Sequence, residues 1–172
     1  KRARALGAQG RVGNRYYHEE IAFNYRMTNL SAAVGLAQLA RLDEMMARRI
    51  EIFSTYEAAI AGLSAYRFAP HQAWARSNCW MSAVQCATPQ AAMTLVRKCR
   101  EAEIGAAIFW EALAGQPAYR RFKAASSPVS EWLSGCVVAL PCSSNLTTQE
   151  QEHVLDVLVA TAGELPDVED IL

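Results

Sequence analysis

The sequence predicts a mixed α/β fold in which one long helix leads into a small domain of short strands alternating with helices. Three observations carry this. Leu39, Leu42, Met46, Phe53, Tyr56, Ile60 and Leu63 recur at spacings of three, four or seven, which draws one apolar stripe along a helix. Thr88-Pro89 and Thr147-Thr-Gln-Glu150 are helix starts of two kinds, a cap followed by proline and a capping box. Short β-favouring runs such as Cys79–Cys86 and Cys136–Leu140 lie between them. Strands alternating with helices around one sheet define the class.

Residues 1–8 read as the end of a helix stopped by Gly7 and Gly10. Residues 9–27 form a loop rich in glycine, aromatic and charged residues, long enough to be functional or disordered. One helix is predicted over 30–63, with Thr28, Asn29 and Ser31 as candidate caps. At 1.5 Å per residue it would span roughly 50 Å, the reach of an element that bridges domains or subunits. Its small opening residues Ala32-Ala33-Val34-Gly35 suit close packing. Strands follow at Ala65–Ala69 and Cys79–Cys86, then a helix from Thr88-Pro89 to about Glu103 and a strand over Ile104–Trp110. Ser127-Pro128 opens a short helix ending near Gly135, and Pro141 stops the strand Cys136–Leu140. The last helix runs to about Ala162, and the acidic tail from Pro166 is expected to fray. The sheet is expected to be mostly antiparallel, with the stripe of the long helix packed on it.

Composition narrows the partners. The chain has 172 residues, enough for one domain with a core. Hydrophobic residues make up 52% and charged residues 20%, as in a globular protein. Seventeen basic residues balance seventeen acidic ones, so no charge surplus points to nucleic acid or an anionic membrane. No apolar run has the length of a membrane span, and Lys1-Arg-Ala-Arg4 is not followed by a signal-peptide core. A cytoplasmic protein is expected. The five cysteines lack Cys-x-x-Cys spacing, which disfavours a zinc site or a disulfide framework and leaves them as small core residues.

Several chemistries fail on spacing. Gly7-x-x-Gly10-x-x-Gly13 is not a dinucleotide fingerprint, and His18-Glu19-Glu20 lacks the second histidine of a metalloprotease. No Gly-x-Ser-x-Gly elbow is present, and Cys142-Ser-Ser-Asn reads as a turn into the last helix. His71 and His153 read as structural or solvated. Asn24 and Arg26 stand two apart beside a helix start. An amide and a guanidinium fork near helix amides suit a phosphate. Taken alone, these residues favour the plainer reading, with Asn24 shaping a turn and Arg26 pairing with Glu19 or Glu20. Trp110 divides between core packing and ligand contact.

Phe23-Asn-Tyr-Arg-Met27 followed by Ala32-Ala-Val-Gly-Leu-Ala-Gln-Leu39 closely resembles the DegT/DnrJ/EryC1/StrS family of sugar aminotransferases. Lys1–Gly10, Arg41–Tyr56, Gln116-Pro-Ala-Tyr119, Val138–Pro141 and Leu146–Glu150 extend the resemblance over nearly the whole chain. It implies an aspartate aminotransferase-like, fold type I architecture. Residues 1–29 would be a remnant of the large domain with an interface loop, 30–63 the linking helix, 64–165 the small C-terminal domain and 166–172 a tail. It implies pyridoxal 5'-phosphate as cofactor, with Asn24 reaching the cofactor phosphate of the neighbouring subunit and Arg26 close to the same site. His18 and Trp110 would line the sugar pocket, and residues 14–42 would form a homodimer interface. Substrates would be a nucleotide-linked keto-deoxysugar and an amino donor such as glutamate. No metal, nucleic acid or membrane enters this picture. Ala107, Ala112 and Ala114 stand where relatives carry arginine, proline and histidine, which departs from the family's sugar-recognition pattern.

The family's Schiff-base lysine, pyridine-nitrogen carboxylate and stacking aromatic lie upstream of the matched segment. Lys1, Lys98 and Lys123 do not stand in the Schiff-base context. Without that lysine the chain carries no catalytic residue, because transamination uses it as imine partner and proton shuttle. The expectation is a C-terminal fragment, inactive alone, of an aminotransferase. A sugar dehydratase of the same fold or a non-enzymatic dimerisation or regulatory module are the alternatives.

Overall fold

The computed structural model describes residues 2–11, 16–68, 72, 74–119, 121–122 and 127–168. Two compact units divide the chain, Lys1–Asp43 and Glu44–Leu172. The first holds α1 (Arg2–Gly7), a tethered loop and α2 (Asn29–Leu39). Then come α3 (Leu42–Ile60), β1 (Arg67–Phe68), β2 (Ala83–Gln85), α4 (Pro89–Glu101), β3 (Ala107–Ile108), a 3-10 turn at Leu113–Gly115, α5 (Pro128–Leu133), β4 (Val137–Ala139) and α6 (Thr148–Ala162).

The second unit is built on a four-stranded sheet of order β1-β2-β4-β3, antiparallel at every pairing. The register aligns Phe68 with Val84, Val84 with Val138, and Val138 with Ile108. Because side chains alternate across a strand, this row faces one side. Against it pack Ile52, Tyr56 and Ile60 of α3, Ala92, Leu95 and Cys99 of α4, and Val154 and Leu158 of α6. Polar anchors fix α3. The Tyr56 hydroxyl donates to the Pro141 carbonyl at 3.0 Å, Arg48 donates to the Leu146 carbonyl at 2.7 Å, and Gln151 donates to the Ile52 carbonyl at 2.8 Å. The Tyr66 hydroxyl donates to the Leu158 carbonyl at 3.0 Å.

Both helix-start signals form as read. Thr88 accepts from the Ala91 N–H at 3.1 Å, with Pro89 opening α4. In α6, Glu150 N–H donates to Thr147 Oγ1 at 3.2 Å while Thr147 N–H donates to Glu150 Oε2 at 2.8 Å. Cys79, Cys86, Cys99 and Cys136 are buried thiols and Cys142 is half-buried.

Four expectations need correction. The single helix over 30–63 is two helices, α2 and α3, parted at Ala40 and Arg41. There the Arg41 N–H bonds the Gln38 carbonyl, three residues back, at 3.1 Å. This tightens the turn, and Asp43 and Glu44 begin α3 where carboxylates complement free amides. Two in-phase helices and one long helix give the same apolar spacing, so periodicity could not separate them. Second, the stripe is buried only in part: Phe53, Tyr56 and Ile60 enter the core, whereas Leu39 and Leu42 are exposed. Third, strands are shorter than read. Cys79 at φ 51 and Glu103 at φ 59 turn the chain ahead of β2 and β3. The β2–β4 pairing still reaches outward through Cys86 N–H to the Cys136 carbonyl and Leu140 N–H to the Ser82 carbonyl, both 2.8 Å. Fourth, the tail is held at its start. The Ser64 hydroxyl bonds the Asp167 carboxylate, and Val168 N–H donates to the Ser64 carbonyl at 2.8 Å. Residues 169–172 lie outside the described residues, as do Lys1, Ala69, His71 and Lys123.

Candidate functional site

The first unit positions Asn24 and Arg26. After α1 the chain reverses through Gln9 at φ 64 and Gly10 at φ 66. A Cβ at Gly10 would lie 2.5 Å from the Glu20 carbonyl oxygen, so only glycine admits the returning segment at this point. Backbone bonds then bind that segment to the end of α1. Glu19 N–H donates to Gly10 O at 3.0 Å, Gln9 N–H to Phe23 O at 2.9 Å, Phe23 N–H to Leu6 O at 2.8 Å and Tyr25 N–H to Gly7 O at 2.9 Å. His18 Nδ1 lies 2.7 Å from the Gln9 carbonyl, which adds a side-chain tie. The Thr28 hydroxyl caps α2 by accepting from Ser31 N–H at 3.1 Å.

Asn24 and Arg26 are both exposed, and neither side chain has a hydrogen bond or ion pair among the described residues. The pairing of Arg26 with Glu19 or Glu20 does not form. The two residues open onto different depressions, however. Asn24 shares one of about 660 Å³ with Gln9, His18, Glu19, Glu20 and Ile21. Arg26 shares one of about 440 Å³ with Arg4, Leu6, Gly7, Phe23 and Tyr25. Asn24 therefore offers a free amide donor beside two carboxylates, and Arg26 a free cation beside a second cation. His18 borders the same depression as Asn24, while Arg26 borders the other.

Arg4 and the Phe23–Tyr25 ring pair escaped sequence reading. The rings stack at 4.9 Å with 9° between planes, which the i, i+2 spacing in an extended segment permits. Gly10 had a visible signal, a glycine just past a helix end.

Trp110 lies in the second unit and is 69% exposed, so core packing is excluded for it. It rests on Phe109 at 4.7 Å between ring centroids, and Phe109 N–H anchors the segment on the Val137 carbonyl at 2.6 Å. Lys98 is ion-paired with Glu164 at 2.7 Å. His153 Nε2 lies 3.0 Å from the Ala102 carbonyl past the end of α4, a structural role. Ser143 and Asn145 bond each other in a turn leading to α6, and no base stands beside Cys142 in these bonds. Burial pushes the Cys86 thiol up to about 12 and raises Cys99 and Cys136, so these thiols are poor nucleophiles. Among the described residues no cluster of three or more histidine, cysteine or acidic side chains could hold a metal, and no helix is long and apolar enough to cross a membrane.

This sheet-and-helix unit, preceded by a short helix, a tethered loop and α2, is an architecture found in sugar aminotransferases. Two solved structures share it: the aminotransferase TlmJ from Streptoalloteichus hindustanus (TM-score 0.85, 21% identity, 95% of this chain and 44% of that one) and a DegT DnrJ EryC1 StrS aminotransferase from Brucella abortus (TM-score 0.78, 24% identity, 93% and 42%). In sequence, EpsN of Bacillus subtilis strain 168, a protein assigned as a pyridoxal phosphate-dependent aminotransferase, is 35% identical over 164 residues. That alignment covers 92% of this chain and 42% of EpsN, so the chain spans well under half the length of this relative. The model of the DegT/DnrJ/EryC1/StrS aminotransferase family matches residues 1–159, and the chain belongs to that family.

Proposed function

We propose that this chain is the C-terminal part of a pyridoxal phosphate-dependent aminotransferase that aminates a nucleotide-linked keto-sugar, with glutamate as the amino donor. The observation that carries the proposal is the free amide of Asn24, held on a loop pinned to α1 and placed ahead of a capped helix, in a chain of this family. Bound pyridoxal phosphate would supply the electron sink for moving the amino group. The chain's own task is to hold and orient. Asn24 donates its amide hydrogens to the cofactor phosphate of a partner subunit in a homodimer. It fits as one neutral donor. Glu19 and Glu20 border the same depression, so the phosphate's charge must be met by groups other than those lining it, Arg26 being the nearest cation on the loop in sequence. His18, fixed on the Gln9 carbonyl, borders the same depression and faces the sugar. Trp110 offers the sugar an exposed ring face, as aromatic side chains with apolar bodies do.

In this reading residues 1–29 belong with a large domain, 30–63 link it to the small domain, and 64–165 are that small domain. The 172-residue chain is expected not to transaminate alone, since Lys1, Lys98 and Lys123 do not stand in the Schiff-base context. The exposed apolar side chains of the first unit support an interface there: Ile21, Met27, Leu30, Val34, Leu36 and Leu39 all face solvent. An absorbance titration of the chain with pyridoxal phosphate tests the reading. No lysine-dependent band should form. A band between roughly 400 and 430 nm that one lysine substitution abolishes would contradict it, because a lysine imine would then be made within this chain.

A further inference from the structure

Cys86 and Cys136 stand directly opposite each other at the end of the β2–β4 ladder. The register that aligns Val84 with Val138 and Gln85 with Val137 brings them together one step further on. There the Cys86 N–H donates to the Cys136 carbonyl at 2.8 Å. Opposed residues of an antiparallel pair carry their side chains on one face, with Cβ atoms about 4.5–5.5 Å apart. A disulfide needs Cα atoms about 4.4–6.8 Å apart and Cβ atoms about 3.5–4.5 Å apart. The Cα spacing of a hydrogen-bonded pair, about 5.5 Å, already satisfies it, and the Cβ atoms need approach by only about 1 Å. The end of the ladder allows that movement. The Cys136 N–H turns away to the Leu133 carbonyl at 3.0 Å, so a single interstrand bond joins the pair rather than two. Gly135, at φ 83, precedes Cys136 in the turn that follows α5. Both thiols are buried, at 0% and 2% exposure. Burial first, and Cys136 next, push the Cys86 thiol up, which sets the two groups close together.

We propose that Cys86 and Cys136 are a dithiol switch, which a small peroxide closes to a strained, reducible disulfide that draws β4 toward β2 where β4 anchors the Phe109–Trp110 segment. The Val137 carbonyl, next to Cys136, accepts the Phe109 N–H at 2.6 Å, and Trp110 rests on Phe109. Moving Cys136 therefore displaces the anchor of Trp110. The electrons balance in two steps. Cys136 gives up its proton and its sulfur attacks one peroxide oxygen; the O–O bond breaks, leaving a sulfenic acid and one water. The Cys86 sulfur then attacks the Cys136 sulfur; the S–O bond breaks, and the hydroxyl leaves with the Cys86 proton as a second water. Each sulfur has lost one electron to the peroxide. Poor nucleophilicity makes the reaction slow and favours a small oxidant. Hydrogen peroxide is close to water in size, and the disulfide adds no atom to a packed core, whereas alkylation would add a bulky group. Cys99 of α4 is buried in the same core and is the competing partner. A helix residue lacks the cross-strand register that sets the Cβ separation. Strain from closing the Cβ gap makes the bond labile to reductants.

The test treats the reduced native chain with hydrogen peroxide, removes the peroxide with catalase, and unfolds the protein in urea with iodoacetamide. Peptide mapping by mass spectrometry should find the Cys86 and Cys136 peptides joined and two hydrogens lighter, with Cys79 and Cys99 alkylated. Dithiothreitol should restore both thiols. Cys86→Ala and Cys136→Ala should each abolish the link, and Cys99→Ala should keep it; the map of the unsubstituted chain decides the pairing even where a core variant folds poorly. By amide hydrogen exchange, the Phe109 N–H should change its rate by about threefold or more between the reduced and oxidised chains. The proposal is overturned if Cys86 joins Cys99 instead, if Cys86 and Cys136 stay free thiols under peroxide that oxidises the half-buried Cys142, or if the link forms and leaves Phe109 exchange unchanged.

Discussion

Leu95→Ala and Leu36→Ala remove the same atoms from two helices of similar length, 13 residues in α4 and 11 in α2. Their costs should differ several-fold. Leu95 is 0% exposed within the cluster that joins the sheet to α3 and α6. Truncating a buried leucine costs about 2–5 kcal/mol, lost transfer energy plus the cavity left behind. Leu36 is 72% exposed, and truncating it should stay within about 0.5 kcal/mol. Near 3 kcal/mol, Leu95→Ala would lower the thermal midpoint by about 10 °C. The assay is urea unfolding followed by circular dichroism, in dilute protein, with unchanged slopes required before midpoints are compared. A loss of more than about 2 kcal/mol for Leu36→Ala would refute the reasoning, since α2 would then be packed within the single chain rather than left for another surface.

Thr147→Ala should cost about 1 kcal/mol in the same assay, because it removes the hydroxyl that caps α6; an unchanged urea midpoint would count against the cap. Its bonds to Thr147 hold Glu150 below the usual carboxylate range, so this contribution is present above the ordinary carboxylate pKa and is lost as pH falls through the lowered one; Glu150→Gln should flatten that acid dependence. Burial raises Cys86, Cys99 and Cys136, so their folded pKa values stand above the unfolded thiol value near ~8.5. The stabilisation is complete below that value and is lost as pH rises toward the folded value, about 12 for Cys86. These three thiols should resist iodoacetamide in the native chain and react in urea, and equal labelling rates in both conditions would contradict their burial.

Legibility followed the locality of each signal. Thr88-Pro89 and the Thr147–Glu150 box lie within four residues of the helix starts they set, and both formed. The sheet was legible as a class, and the alternation that places Val84 and Val138 inside is visible in sequence. Strand ends were less so, because the left-handed residues Cys79 and Glu103 are not the usual glycine or asparagine. The break after Ala40 carries no glycine or proline, and in-phase stripes hide it. In the first unit the sequence singled out Asn24 and Arg26, yet not their separation onto two depressions. That separation follows from the backbone tether of residues 18–25 to α1, a pairing at a distance that local spacing does not encode. Arg4 enters the site only through that tether.

Asn24 acting across a subunit boundary is the central claim, and a mixed dimer of the whole protein tests it most directly. One chain carries Asn24→Ala and an intact Schiff-base lysine; the other carries intact Asn24 and a substituted lysine. In the Asn24→Ala homodimer, losing a hydrogen bond to a charged phosphate, worth about 1.5–3 kcal/mol, should weaken cofactor binding roughly ten- to a hundred-fold. In the mixed dimer the lysine-bearing site receives Asn24 from its neighbour. It should bind cofactor with wild-type affinity and remain active. If that site is as weak as in the Asn24→Ala homodimer, the asparagine serves its own chain and the account is contradicted.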